Sequence, residues 1–434
     1  MDKATIIEAV AMYWPMALCA SLYFLLGKTQ RVKKQQVLTA GMMASAWIAA
    51  VLPWTNELCT KLGYWSFHVT HSISVIGLPL SLYIGWILLW GFLPAILAVL
   101  LEKWHPVIII TVFFLLDVIT MPYFSPVMTL SDSNEWLIGE LLLVIICLTP
   151  AIYLSRWVIA DTHVGKRATL ISSAFILIIL TVLPMVSPSA GFHPIVVWMT
   201  IPTYQKYLWI MAIIILSLPG IAGVTEFARV GKGTPIPYDP PKRLITTGVY
   251  MYVRNPMQLS MVLVVSIWAI IFTSWLMLSV AIIALIYCIG LAKWSESCDL
   301  KSRYGEAWIR YSQQVKSWKP SILPTFVSEQ NAQLYIDYQC GKCTEIKRWI
   351  ENKSPVALEI IPASEWKGNK LNRITYHDPN TSETSEGVLA FAKAIQHIHL
   401  GWALLAWLIS LPFISYIIQA ALDASGAAPQ KTQQ

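Results

Sequence analysis

Hydrophobic residues fall in long runs along this chain, separated by short polar stretches. Seven runs approach the roughly 20 residues needed to cross a bilayer: 9–26, 37–54, 79–100, 104–121, 136–154, 168–186 and 206–223. An eighth, Met257 to Ala292, carries no charged side chain and has Thr273 and Ser274 near its middle. That predicts two helices joined by a tight hairpin. A last apolar stretch, 398–420, is interrupted by Pro412 and fits a span, an interfacial helix or a core helix. The pattern predicts an all-α polytopic membrane protein of about 8–10 spans, with an N-terminal multi-span domain over 1–190. From Ser321 to Gln396 the apolar runs become short. The order strand (Leu334 to Asp337), Cys-Gly-Lys-Cys, helix (Thr344 to Glu351), strand (Val356 to Ile361) predicts a small α/β module. The tail 424–434, ASGAAPQKTQQ, reads as disordered.

Composition agrees with the membrane reading: 56% of the 434 residues are hydrophobic and only 13% charged, where a soluble domain averages about 25%. The formal charge of +7 does not point to nucleic acid, because the excess Lys and Arg sit in loops between apolar runs. The loop 27–36 has Lys28, Arg31, Lys33 and Lys34, whereas 122–135 and 187–205 have no Lys or Arg. That alternation predicts an external N-terminus and cytosolic odd-numbered loops; a reporter fused at Pro324 should therefore read as cytosolic. No small-residue cleavage site follows the first apolar run, so it reads as a retained span.

Two polar segments flank the hairpin. The first, Gly231 to Pro256, reads GKGTPIPYDPPKRLITTGVYMYVRNP, and the second, Trp294 to Pro320, reads WSESCDLKSRYGEAWIRYSQQVKSWKP. A hairpin between them returns both to one face of the bilayer. Pro235, Pro237, Pro240 and Pro241 hold the first segment extended. Asn255 suits a helix N-cap and Pro256 the first helical position. A rigid loop anchored at the lipid headgroups by its basic residues is the simpler reading of the prolines and charges taken singly.

The two segments together resemble the isoprenylcysteine carboxyl methyltransferase family and its phospholipid methyltransferase relatives. The resemblance rests on GKGTPIPYDPPKRLITTGVYMYVRNPM and, after the hairpin, Glu296, Leu300, Tyr304-Gly305, Trp308, Tyr311, Val315, Trp318 and Pro320. It covers about 200–322, within a methyltransferase domain set at 196–322, and implies an integral-membrane, all-helical enzyme using S-adenosylmethionine. By position it implies donor-binding roles for Lys242, Arg243, Leu244, Ile245, Tyr250, Asn255, Pro256, Met257, Gln258 and Glu296, and a catalytic role for Arg254. Glu296 would pair with the donor's ammonium. A tyrosine commonly stands in the family where this chain has Gln258, a second glutamate where it has Ser297, and the arginine that meets a prenylcysteine carboxylate where it has Ala292. The implied acceptor is therefore a hydrophobic or lipid-like molecule, with prenylcysteine not carried over.

Cys340 and Cys343 are the one cysteine pair spaced to act together. Cys340 would sit at a helix N-terminus, where the dipole and free N–H groups favour a thiolate. Zinc would need two further ligands; His377, His397 and His399 are available but no second Cys-x-x-Cys follows. Dithiol chemistry is the favoured reading, and no metal is assigned. The segment 331–422 resembles the DCC-type thiol-disulfide oxidoreductase family through Tyr335, Asp337, Cys340, Cys343, Gly387, Ala390 and Leu411-Pro412, with Tyr338 in place of the family's glycine. That resemblance implies a thioredoxin-like fold and a thiol partner protein. An alternative for the whole chain is a membrane thiol-disulfide oxidoreductase or assembly factor whose methyltransferase-like segment is a scaffold.

In the N-terminal domain, Asp117 and Glu140 lie in or near spans, where a carboxylate is either functional or interfacial. The stretch from Gly63 to Trp86 resembles a loop of membrane carotenoid cyclases, but Ser81 and Leu82 replace its paired glutamates. That activity is not assigned.

Overall fold

A computed structural model describes residues 3–26, 31–68, 73–187, 194–233, 241–327, 330–366, 368 and 371–427. Among the described residues, seven helices are long and apolar enough to cross a membrane: α1 (Lys3–Leu25), α2 (Lys34–Lys61), α3 (Leu80–Leu100), α4 (Pro106–Phe124), α5 (Trp136–Ile159), α6 (Val164–Met185) and α7 (Thr203–Arg229). They make this an integral membrane protein. The expected hairpin forms as two shorter apolar helices, α8 (Pro256–Ile271) and α9 (Trp275–Gly290). They turn at Thr273, which adopts φ +48°.

Contacts divide the chain into two compact units that cut across the sequence-based boundaries. The first takes 1–206, 233–240 and 265–280. Its interior is built on α2, whose Val37, Ala40, Met43, Ala44 and Ile48 are fully enclosed. Phe24, Leu25, Ile119, Tyr123 and Trp275 point outward, as lipid-facing side chains do. Short strands close one end, with Trp65–Phe67 antiparallel to Met128–Leu130. Asp117 and Glu140 are both buried within this unit rather than at its surface. The Trp90 indole N–H donates to Asp117 Oδ2 at 3.1 Å.

The second unit takes 207–232, 241–264 and 281 onward. After α9 the chain continues into the polar helix α10 (Lys293–Gln314), which breaks at Gly305. Gly305 adopts φ +52° and ψ −127°, a conformation open essentially to glycine alone, which explains the glycine in the second polar segment.

A four-stranded sheet follows, formed by β1 (Ala332–Ile336), β2 (Leu358–Pro362), β3 (Thr375–Asp378) and β4 (Glu383–Glu386), in the order β2-β1-β3-β4. β1 and β2 are parallel, with Leu334 beside Ile360; β3 runs antiparallel to β1, with Tyr376 beside Leu334. Helix α11 (Gly341–Glu351) crosses between β1 and β2, as a parallel pair requires. α11 begins at Gly341, three residues before the position expected from the pattern, because Cys340 acts as its N-cap. Helix α12 (Val388–Ile395) packs Ala390 and Ala394 into the core under the sheet, beside Cys343.

The apolar stretch near 398–420 does not form one straight helix. It bends by 84° between α13 (Leu400–Ile409) and the helix that starts at Pro412, because Pro412 has no N–H to continue the ladder. α13 buries Ala403, Ala406 and Trp407. α14 (Pro412–Leu422) runs on as a π turn, Asp423–Ala427. The start of the expected disordered tail is thus helical, and 428–434 lie outside the described residues.

Candidate functional site

The two polar segments fold onto each other within the second unit. Tyr311 donates its hydroxyl to the Tyr250 carbonyl at 3.0 Å. Tyr304 donates to the Pro241 carbonyl. The Arg254 N–H donates to the Lys316 carbonyl at 3.0 Å and the Asn255 N–H to the Ser317 carbonyl at 3.3 Å. The Arg254 guanidinium lies over the Trp308 ring, 5.5 Å from its centre, and donates to Ser317 Oγ. Trp308 and Tyr311 are one turn apart, so they present one face of α10 to the first segment.

The sequence-predicted donor residues distribute along this junction. The Lys242 N–H donates to the Gly231 carbonyl at 2.7 Å. Arg243 donates through Nε to the Val230 carbonyl at 2.6 Å and through Nη1 to the Thr381 carbonyl at 2.9 Å. Ile245 is buried and Leu244 packs against the same core. Tyr250 is buried, its hydroxyl 3.4 Å from the Gly223 carbonyl. Pro256 opens α8, and Asn255 accepts from the Leu259 N–H at 3.0 Å. Gln258 and Met257 are half-buried on the first turn of α8. That turn sits close to α7 because Gly223 leaves room: a Cβ there would meet Pro256 Cγ at 2.8 Å. One turn earlier, Ser260 Oγ accepts the Gly220 N–H at 2.8 Å. Glu296 lies on α10, but its side chain is outside the described residues, as are Pro235, Pro237 and Pro240.

Sequence reasoning missed the floor of this site. Glu226, on the last turns of α7, is buried and forms an ion pair with Lys393 of α12. Its Oε2 accepts from the Thr247 hydroxyl at 3.2 Å. Gly248 follows with φ +63°, and a Cβ on it would stand 2.8 Å from the Glu226 carboxyl carbon. Both facts demand glycine. Beyond it, Tyr252 donates to the Gln396 carbonyl at 2.6 Å and meets Trp407 edge-on at 5.9 Å. A cavity of about 20 Å³, enough for a single water, is lined by Glu226, Gly248, Tyr376, Asp378, Lys393 and His397 among others. An acid near the end of an otherwise apolar run was the available signal.

Cys340 and Cys343 are free thiols at the start of α11. Burial, and then the hydrogen bond with Cys340, pushes the Cys343 thiol up to about 12. Of the histidines weighed as metal ligands, His397 is enclosed: its Nδ1 faces the Val356 carbonyl at 2.8 Å and its Nε2 faces the Tyr376 hydroxyl at 3.1 Å. A carbonyl only accepts, so Nδ1 carries the proton and Nε2 receives the tyrosine's. His399 caps α13 by accepting the Gly401 N–H, and His377 pairs with Thr384.

Residues 209–307 match the family model described as Phospholipid methyltransferase. The match supports a membrane methyltransferase. It spans α7, the first polar segment, the hairpin and the start of the second segment, less than a quarter of the chain. No curated protein and no solved structure matches the chain.

Proposed function

We propose that this protein transfers a methyl group from S-adenosylmethionine to a hydrophobic or lipid-like acceptor. The observation that carries the reading is the closure of the two polar segments on each other through Arg254, Trp308, Tyr311 and Ser317, inside and just beyond the segment that matches the methyltransferase family. The donor set fits. Beside Ser317, the Trp318 indole N–H is buried and has no partner among the described residues, as a binding group awaiting an acceptor would be. Tyr250, Asn255, Gln258 and the backbone of 242–245 would hold the nucleoside, and Glu296 the ammonium. When bound, the sulfonium supplies a methyl group for in-line displacement and leaves as a thioether. The chain's part is to hold donor and nucleophile in line and keep water out. Arg254 locks the second segment against the first. The alternation of loop charge supports a cytosolic location for both segments, where the donor is made. With labelled donor and detergent-solubilised protein, the wild type should bind and Glu296→Gln should lose about tenfold or more in affinity, the scale of a charge-assisted pair. Absence of binding by the wild type would sink the reading.

A second activity is favoured by the C-terminal module. The order β2-β1-β3-β4, with only β1 and β2 parallel, supports a thioredoxin-like fold with its dithiol at the start of α11. The Cys340 thiolate attacks a partner protein's disulfide and expels one partner thiolate. Cys343, held as a thiol during the first step by its raised pKa, then passes its proton to the partner thiolate already expelled and closes the Cys340–Cys343 disulfide, releasing the second partner thiolate. Cys340→Ser should abolish reduction of a model disulfide such as insulin, and an unchanged rate removes the redox role.

A further inference from the structure

The appended α/β module reaches the floor of the donor site. Glu226 is 5% exposed and sits directly under the turn that leads to Tyr250 and on to Arg254–Gln258. Gly248, the first residue of that turn, rests against its carboxyl group, and Thr247 donates to it. The cation that pairs with Glu226 comes from Lys393 on α12, more than 160 residues later in the chain. A carboxylate in such a place needs its counter-charge, since a buried ion left alone is displaced toward water or neutralised. Three further links run beside it: Arg243 to the Thr381 carbonyl, Arg229 to Ser385 Oγ at 3.3 Å, and Tyr252 to the Gln396 carbonyl. Arg243 and Tyr252 of the first polar segment thus reach Thr381, just before β4, and Gln396, just after α12.

We infer that Lys393 is a positioning residue for methyl transfer: by neutralising Glu226 it seats the Thr247–Met251 turn, so the C-terminal module completes the donor site of the methyltransferase. This rests on the donor reading above. It predicts that the module is required for donor binding through the Lys393–Glu226 ion pair.

The test measures S-adenosylmethionine affinity of the full-length, detergent-solubilised protein, with near-ultraviolet circular dichroism as the control for fold. Lys393→Met should weaken donor binding by about tenfold or more, and Lys393→Arg, which keeps the charge, should recover most of it. The double variant Glu226→Gln/Lys393→Met, which leaves no buried charge, should bind more tightly than Lys393→Met alone. A folded Lys393→Met protein that binds donor like the wild type overturns the inference. If Lys393→Met does not fold, the double variant decides: a folded double with donor affinity restored supports the positioning role, and a double that stays unfolded or does not bind overturns it. Absence of donor binding by the wild type is the separate result that removes the donor reading itself.

Discussion

Glu140 and Glu226 are the same residue type in similar settings, buried near the ends of apolar helices, and the fold treats them differently. Glu226 has a cation, a hydroxyl donor and a glycine shaped to its carboxyl group. Glu140, in the other unit, is 1% exposed, and its Oε1 has no hydrogen-bond partner among the described residues. Burial alone therefore does not mark a working carboxylate. A paired one is wired into its surroundings and expensive to disturb, while an unpaired one is replaceable as far as stability goes.

The sharpest way to break this comparison is to remove one partner from the paired glutamate. Lys393→Met strands a buried charge and should cost about 3–5 kcal/mol of stability, read as a lower thermal midpoint in detergent. A loss under about 1 kcal/mol would mean that Glu226 finds water or protonates at little cost. The next largest effect is carried by pH. His397 is enclosed beside the same cavity, and burial pulls its pKa down to about 4. An unfolded histidine titrates near 6.5, so between these values the unfolded chain binds the extra proton. The neutral ring's contribution is complete above about pH 6.5 and is lost as pH falls toward 4, worth about 3 kcal/mol in all. Unfolding midpoints measured across that window should drop, and His397→Gln should flatten the slope. The smallest effect belongs to the unpaired acid. Glu140→Gln should leave stability within about 1 kcal/mol of wild type or raise it, since a neutral amide of equal size removes the burden of a lone buried oxygen. A large loss there would give Glu140 a partner and undo the contrast.

Much of this was legible in the amino-acid order. Apolar run length located all seven membrane-length helices, because a bilayer tolerates only satisfied backbone and apolar side chains over such a distance. Trp308, Tyr311 and the Arg254-Asn255-Pro256 turn were legible as a spaced pattern, and each now has a contact that explains it. The strand–Cys340–helix reading was legible too, with the helix end at Glu351 matched and its start misplaced by three residues, because helix starts depend on caps that propensity does not register. The fate of 398–420 was not legible. Its hydropathy suits lipid and protein core equally, and neither the 84° bend at Pro412 nor the packing of Trp407 against Tyr252 can be read from hydropathy.

Sequence by itself determined which segments enter the membrane, which polar stretches flank the hairpin, and that the residues around Arg254 and Glu296 follow a methyltransferase pattern. These are local properties, set by composition and spacing. Tertiary structure alone decided that Glu226 needs Lys393, that Gly248 must be glycine, and that the C-terminal module shares a core with the first polar segment. Each of those is a pairing between residues far apart in the chain. Electrostatic pairing and close packing depend on distance in space, which the linear order does not contain.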